Sequence, residues 1–471
     1  VIDWLSKLFS SASTPARVRS YDGGAGGRRW KGAGEMASQQ AAGLAARGTL
    51  ARRARYLVGN NALASAGVEA WVSALVGTGI KGQSAHPDPS HRAEISAAFE
   101  AWTDLADADG LTDFYGLQAL AARRIVIDGE ALGLLTTGEG GRLAIRLLDP
   151  EQLDGSMTRE LGGGARIIAG VEFDGSGKRT AYFIFPDRPG LGFTLTSVRV
   201  PAENVVHVFR PDVPGQVRGI SWFAPVLLRL NEHDQAIDAQ LVRQKLSAML
   251  AGFVIDPNGE GAGLGDPPAV NGILEGGLEP GTIKILSGGQ DIRFSDPATI
   301  GAEATAFLTV TAREIAAGLG VPYEAMTGDL SSVNYSSIRA GLVEFRRRAE
   351  AIQHGIIAFQ FLRPIWRQWL LTEFLSGRIK SPGSDLEALL AVKWITPKTQ
   401  WVDPAKDIAA ETEAIAAGLM SRREAIASRG YDIEAVDAEI AADHAREKSL
   451  GLDFAPKPAP MPVTPKKVAV E

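Results

Sequence analysis

At 471 residues with 45% hydrophobic content, the chain is too long for one core and has the composition of a folded protein of several domains. A formal net charge of −6 is mild for this length, and the absence of cysteine excludes disulfides and thiolate metal sites and fits a reducing compartment. No apolar run reaches about 18 residues, and the opening VIDWLSKLFS lacks the basic stretch and long apolar core of a signal peptide; the expectation is a soluble, intracellular protein with no membrane span.

Residues 14–57 are basic and rich in glycine and alanine, with Arg17, Arg19, Arg28, Arg29, Lys31, Arg47, Arg52, Arg53 and Arg55. The stretch YDGGAGGRRWKGAGE holds too much glycine for a stable helix. It reads either as an extended basic arm or as a solvated, partly disordered tail. From Ala37 a helical pattern runs to about Gly77, with a break at Gly59-Asn60-Asn61. Two further helices, 93–106 and 113–128, are split by the turn at Asp109-Gly110. Short apolar strands follow at Ala131–Thr137 and Leu143–Leu148, then a hairpin of Ala165–Phe173 with Thr180–Phe185, then strands at Val198–Val200 and Val205–Phe209. The first half is α+β.

Gly219–Ala251 reads as a long helix with Ser221 as its cap, Phe223, Val226, Leu230, Ile237 and Leu241 on one side, and a polar middle at Asn231–Gln235 that faces solvent or a polar neighbour. Residues 253–297 turn glycine-rich and strand-like, with strands at Ile283–Leu286 and Ile292–Phe294; Ala298–Gly318 returns to helix. A polar loop comes next. The pattern from Ile338 to Leu375 then places Ile338, Leu342, Phe345, Ala349, Ile352, Ile356 and Phe359 on one apolar stripe, with Ser336 or Ser337 as N-cap. A continuous helix there would be about 60 Å long, and Pro364 predicts a kink. A strand at Val392-Lys393-Trp394 precedes helical segments from Lys406 to about Ser449, broken at Gly418 and Gly430. The tail from Ala455 is proline-rich, which predicts extended or disordered chain.

Catalytic and cofactor motifs fail on inspection. Gly175-Ser176-Gly177-Lys178 has Glu172 where a phosphate loop needs glycine and Arg179 where it needs Ser or Thr, and it joins two strands. The glycines at 259, 261, 263 and 265 do not spell GxGxxG, and Ser221 lacks the second glycine of a nucleophile elbow. Six histidines show no metal-ligand spacing; Glu232, His233 and Asp234, being consecutive, point different ways around a helix. No catalytic residue, metal or cofactor is expected. Arg346-Arg347-Arg348 is the sharpest charge feature. It reads either as a solvated helix face with partners such as Glu344 and Glu350, or as a contact to another subunit or to phosphates.

Four separated motifs carry a family resemblance: ARYLVGNNALASAGVEAWVSALVGTGI, VRGISWFAPVL, IAAGLGVPYEAMTGDLSSVNYSSIRAGLVEFRR and VDPAKDIAAETEAIAAGLMSRREAIASRGYD. With them the chain resembles the portal proteins of tailed bacteriophages, in particular the lambda-like family. The resemblance implies a mainly helical α+β portal fold, divided as a basic flexible arm (1–36), an α+β wing (37–218), a stem helix (219–251), a β-containing clip (252–297), a second stem helix (298–320), a tunnel-loop region (321–337), a long kinked helix (338–375), a helical crown (376–454) and a proline-rich tail (455–471). It also implies a ring of about twelve copies at one capsid vertex. Double-stranded DNA would pass through that ring, in with the terminase large subunit and out to a head–tail adaptor, beside major capsid and scaffold proteins.

In that reading the loop facing DNA is Thr327, Gly328, Asp329, Leu330, Ser331, Ser332, Val333, Asn334, Tyr335, Ser336 and Ser337, with Asp329 its single charge. Tyr335 is open to a second reading, as an anchor packed at the loop base. A packaging nuclease and a different head–tail connector ring are the rival readings. The first would need a phosphate loop or metal-binding carboxylates, and the second is usually a much shorter chain.

Overall fold

In the computed structural model, the residues described are 34–192, 194, 196–248, 252–255, 291–294, 302–331, 334–380, 385–397 and 404–452. Helix α1 (Gln39–Asn60) is capped by the Ser38 side chain and followed at once by α2 (Ala62–Leu75). Asn61 serves both: its N–H closes α1 on the Leu57 carbonyl, and its side chain accepts from Ala64 N to open α2. Arg47, Arg52, Arg53 and Arg55 stand on α1, where the pattern from Ala37 predicts a helix, while the basic residues up to Lys31 lie outside the described residues. Helices α3 (Pro89–Thr103) and α4 (Phe114–Asp128) start on Asp88 and Asp113 caps, as acidic N-caps favour.

The described strands form four antiparallel sheets. Strand β1 (Lys81–Ser84), which the periodicity did not predict, pairs with β12 (Val392–Ile395). A three-stranded sheet has the order β3-β2-β9, from β2 (Glu130–Thr137), β3 (Leu143–Leu148) and β9 (Val205–Phe209). The five-stranded sheet runs in sequence order through β4 (Arg159–Gly162), β5 (Ala165–Ile168), β6 (Val171–Phe173), β7 (Arg179–Ile184) and β8 (Val198–Pro201). The strand expected over Ala165–Phe173 is thus two strands, because Ala169 and Gly170 adopt φ of 47° and 85° and turn the chain back. Asp174 N bonds the Lys178 carbonyl, so the Gly-Ser-Gly-Lys run is the β6–β7 hairpin turn.

Helix α5 (Leu227–Ala248) begins eight residues later than the expected Gly219. Ser221 does accept from Phe223 N, but Pro225 has no N–H to give, and residues 222–226 form turns before the helix settles. Strands β10 (Gly252–Ile255) and β11 (Asp291–Phe294) pair just past it, and α6 (Ala302–Leu319) returns alongside α5, with Arg229 Nε 3.4 Å from Glu314. The strand expected at Ile283–Leu286 lies outside the described residues.

A short helix, α7 (Tyr323–Thr327), precedes α8 (Tyr335–Ile352). From Gln353 to Leu362 the chain is π-helical, and α9 (Arg363–Leu375) continues from it. The expected continuous α-helix is therefore interrupted ahead of Pro364, which sits in the first turn of α9, where its missing N–H is harmless. The i→i+5 bonding adds a residue per turn and rotates the buried face. Phe359, assigned to the stripe, is exposed, and Ile357, Phe361 and Leu362 are buried instead. After α10 (Leu386–Leu390) and β12, helices α11 (Pro404–Ala416), α12 (Arg422–Ala427) and α13 (Ile433–Leu450) end the described chain, with turns at Gly418 and Gly430, both at positive φ.

The main core gathers α2, α3, α4, the π segment and α9 around Phe99, Trp102, Phe114, Phe361, Trp366 and Trp369, rings that meet edge-on or tilted except for Phe114 and Phe361, which lie nearly parallel. A second core of Leu132, Leu148, Val171, Tyr182 and Ile184 fills the space between the two larger sheets. Among the described residues, no helix is long and apolar enough to cross a membrane.

Candidate functional site

The polar loop is reached from α6 through a sharp turn. Gly320 takes φ 78°, Val321 N returns to the Ala316 carbonyl, and Trp71 of α2 donates its indole N–H to the Leu319 carbonyl at 3.0 Å. Helix α7 then ends at Gly328, whose φ of 71° is the left-handed geometry of a helix stop. Asp329 organises the turn beyond it. One carboxylate oxygen accepts from Ser331 N at 3.0 Å and Ser331 Oγ at 2.6 Å, the other from the Tyr323 hydroxyl at 3.2 Å. These bonds, chiefly that from Ser331, hold the Asp329 carboxyl below its ordinary range, so it is anionic and already engaged. The Arg313 guanidinium stacks 5.3 Å from the Tyr323 ring centre.

Asn334, not Ser336 or Ser337, caps α8: its side chain accepts from Ser337 N at 2.9 Å and Ser337 Oγ at 2.6 Å. A short carbonyl-bearing side chain at the residue before the helix reaches the third N–H, a bond for which the serines stand too late. The eleven loop residues therefore divide. Thr327 ends α7, Tyr335, Ser336 and Ser337 open α8, and Gly328, Asp329, Leu330, Ser331 and Asn334 lie between; Ser332 and Val333 are outside the described residues. Ser331, Asn334 and Ser337 spend their side chains on local bonds, and among the described loop side chains Leu330 is offered outward, 60% exposed.

The arginine run lies more than three turns along α8. Arg348 faces Glu344 at 3.6 Å, an intrahelical pair of the kind a solvated face makes. Arg347 is exposed, and Arg346 is half-buried beside a groove of about 320 Å³ floored by Ala70, Ala74, Phe345 and Ala349. The three consecutive polar residues of α5 do diverge. Glu232 pairs with Arg229, Asp234 accepts from Asn61, and His233 is buried. No cluster of three potential metal ligands occurs among the described residues.

Sequence reasoning missed a buried charge centre at the root of α5. The Glu130 carboxylate, wholly buried at the start of β2, accepts from Arg218 Nε at 3.0 Å, Gly219 N at 2.8 Å, His207 Nε2 at 3.1 Å and Arg47 of α1. Its four donors hold Glu130 well below the carboxylate range against the cost of burial. Because an ionised carboxylate only accepts, His207 carries its proton on Nε2, and its Nδ1 faces the Arg179 guanidinium at 3.1 Å. Burial pushes His207 down to about 4. Next to it, Arg55 holds Asp128 at 2.6 Å, so α1 is pinned on either side of Gly129. Two sequence signals were available, Asp128-Gly129-Glu130 and Arg218-Gly219: charges set beside glycine at element ends.

Two antiparallel helices with a β-closed insert at their far end, a polar loop, then a long interrupted helix, all built on an α+β half, make up the chain plan of a phage portal protein. The chain belongs to its lambda family: the profile described as phage portal protein, lambda family, matches residues 25–353. The chain is 26% identical over 381 residues to a probable portal protein of Halomonas phage phiHAP-1, covering 78% of this chain and 73% of that one. It is 24% identical over 494 aligned positions to the portal protein of Escherichia phage N15, covering 92% and 91%. Among solved structures, a chain in the neck of a native GTA particle with C12 symmetry is similar at 14% identity and a TM-score of 0.48, over 80% of this chain and 91% of that one.

Proposed function

We propose that about twelve copies of this chain close head-to-tail into a ring at one vertex of the virion, and that double-stranded DNA is packaged and later ejected through its channel. The observation that carries this is the family match over residues 25–353, which takes in the α+β half, both stem helices, the insert between them, the polar loop and all of α8. In this reading 37–218 is the wing, α5 and α6 are the stem, and 252–297 is the clip that docks the terminase large subunit and then the head–tail adaptor. Residues 321–337 carry the tunnel loop, 338–375 form the long helix, and the crown (376–454) faces the interior. Major capsid and scaffold proteins surround the wing.

A channel that passes DNA must not hold it, since each phosphate neutralised by Lys or Arg adds salt-sensitive affinity. The described loop residues fit that demand, with an internally satisfied Asp329 and an outward Leu330. Arg347, exposed on α8, is assigned to a contact with a neighbouring subunit rather than to DNA. The protein carries no catalysis of its own. Electron microscopy of purified protein tests the reading: rings with a central hole are expected, and particles without one at any concentration would defeat it. ATP or DNA turnover that a single substitution in this chain abolishes would defeat the structural role.

A further inference from the structure

The last three helices have almost no core. Among the described residues of α11, α12 and α13 only Ala425 is buried. Ile408, Ile415, Ile440 and Leu450 are exposed, and so is Leu419 in the turn between α11 and α12, at 84%. On α13 the apolar row Ile433, Val436, Ile440 is half-covered at its first two members and uncovered at the third. The helices are tied to each other and to the rest of the chain by ion pairs: Arg422–Asp437, Arg423–Glu434, Arg429–Glu411, Arg92–Glu434 and Arg339–Asp407. The Arg422–Asp437 and Arg423–Glu434 pairs are largely exposed, and such pairs contribute little and are screened by salt; the other three are only half-buried. An 18-residue helix without a buried face is marginal in water.

The chain carries a charge match for this uncovered surface. Glu439 and Asp443, one turn apart on α13, are exposed and make no ion pair among the described residues. Arg347 on α8 is likewise exposed and without an ion pair there. It lies about two turns beyond Arg339, which holds α11 to α8 through Asp407. Two different, complementary surfaces on one chain are what a head-to-tail contact requires.

We propose that α11–α13 complete their packing on the adjacent copy of this chain, burying Ile415, Leu419 and Ile440 there and setting Glu439 and Asp443 against that copy's Arg347. This rests on the ring proposed above and names which part of the chain depends on it for its fold. Hydrogen–deuterium exchange of the full-length protein tests it at two concentrations, one at which native mass spectrometry finds single chains and one at which it finds the assembly. Amides of 404–452 are expected to gain about tenfold or more protection on assembly, while those of α2 and α4 stay unchanged. Glu439→Lys with Asp443→Lys is expected to remove that gain, and adding Arg347→Glu to restore it. Equal protection in the single chain, a gain that survives both lysines, or no restoration would overturn the inference while leaving the ring standing. A chain that stays single at every concentration would defeat the ring and the inference with it.

Discussion

Glu130 is the residue on which most of the junction between the α+β half and the approach to α5 depends. It joins α1, β9 and the approach to α5 through bonds to residues 83, 77 and 88 positions away, which is why a sequence read element by element shows only a charge at a strand edge. Glu130→Gln leaves the Arg218 and Arg47 cations facing a neutral amide, and a loss of about 3–5 kcal/mol is expected in chemical denaturation. The same centre sets an acid limit. His207 in the folded chain titrates near 4 against an ordinary 6.5, and Glu130 lies well below 4.5. Both folded values are depressed, so the unfolded chain binds protons first and stability falls with falling pH, from about 6.5 downward for His207 and below about 4.5 for Glu130. Protonated His207 would also turn a second N–H toward Arg179, with Arg218 near it and the Tyr182 and Phe209 rings against it. For His207 alone the expected loss between pH 6.5 and 4 is about 3 kcal/mol. Denaturation midpoints measured across that range should flatten in His207→Gln; an unchanged slope would show that other groups carry the acid sensitivity.

At the scale of elements, two glycines separate backbone strain from crowding. Gly129 and Gly328 both stop helices at positive φ, 89° and 71°. A Cβ at Gly328 would meet nothing within 4 Å, whereas one at Gly129 would lie 2.1 Å from the Ile220 backbone carbon. Gly328→Ala is therefore expected to cost about 1–2 kcal/mol, the left-handed penalty alone. Gly129→Ala is expected to cost more than about 4 kcal/mol, since the stem approach must move away. Thermal unfolding of the two variants ranks them, and equal losses would refute the close approach. Elements whose signals are local were legible. The break between α1 and α2 at Asn61, the paired helices α3 and α4, the strands β2 and β3 and the turns at Gly418 and Gly430 all follow from caps, periodicity or glycine. The π segment was not, because its apolar residues continue a helical pattern by eye while the altered bonding shifts which of them turn inward. Strand β1, KGQS, has no apolar alternation, and only its distant partner β12 makes it a strand.

For the whole molecule, the ring reading makes the polar loop a test of electrostatics. Asp329 is a poor place for it, because replacing it also removes the bonds to Ser331 and Tyr323. Leu330→Lys changes an exposed side chain that packs on nothing required, so rings are expected to form as before. A dozen added cations should slow or stall DNA passage, most at low salt. Packaged DNA length in particles carrying the variant is the measurement; full-length packaging at every salt concentration would take Leu330 out of the channel. The order of the elements, helix, strand-paired insert, helix, loop and interrupted helix, was legible in the sequence, but the loop's inner bonding was not, since a run of small polar residues reads as open until its partners are placed. Strands β10 and β11 carry a consequence of another kind. Their pairing, Gly252 opposite Phe294 and Ile255 opposite Asp291, brings the two ends of the insert to within about 5 Å of each other. A short Gly-Ser bridge of that span in place of residues 256–290 is expected to leave α5 and α6 where they are. In the ring reading, the segment proposed to choose a docking partner could then be exchanged while the proposed channel behind it stays the same.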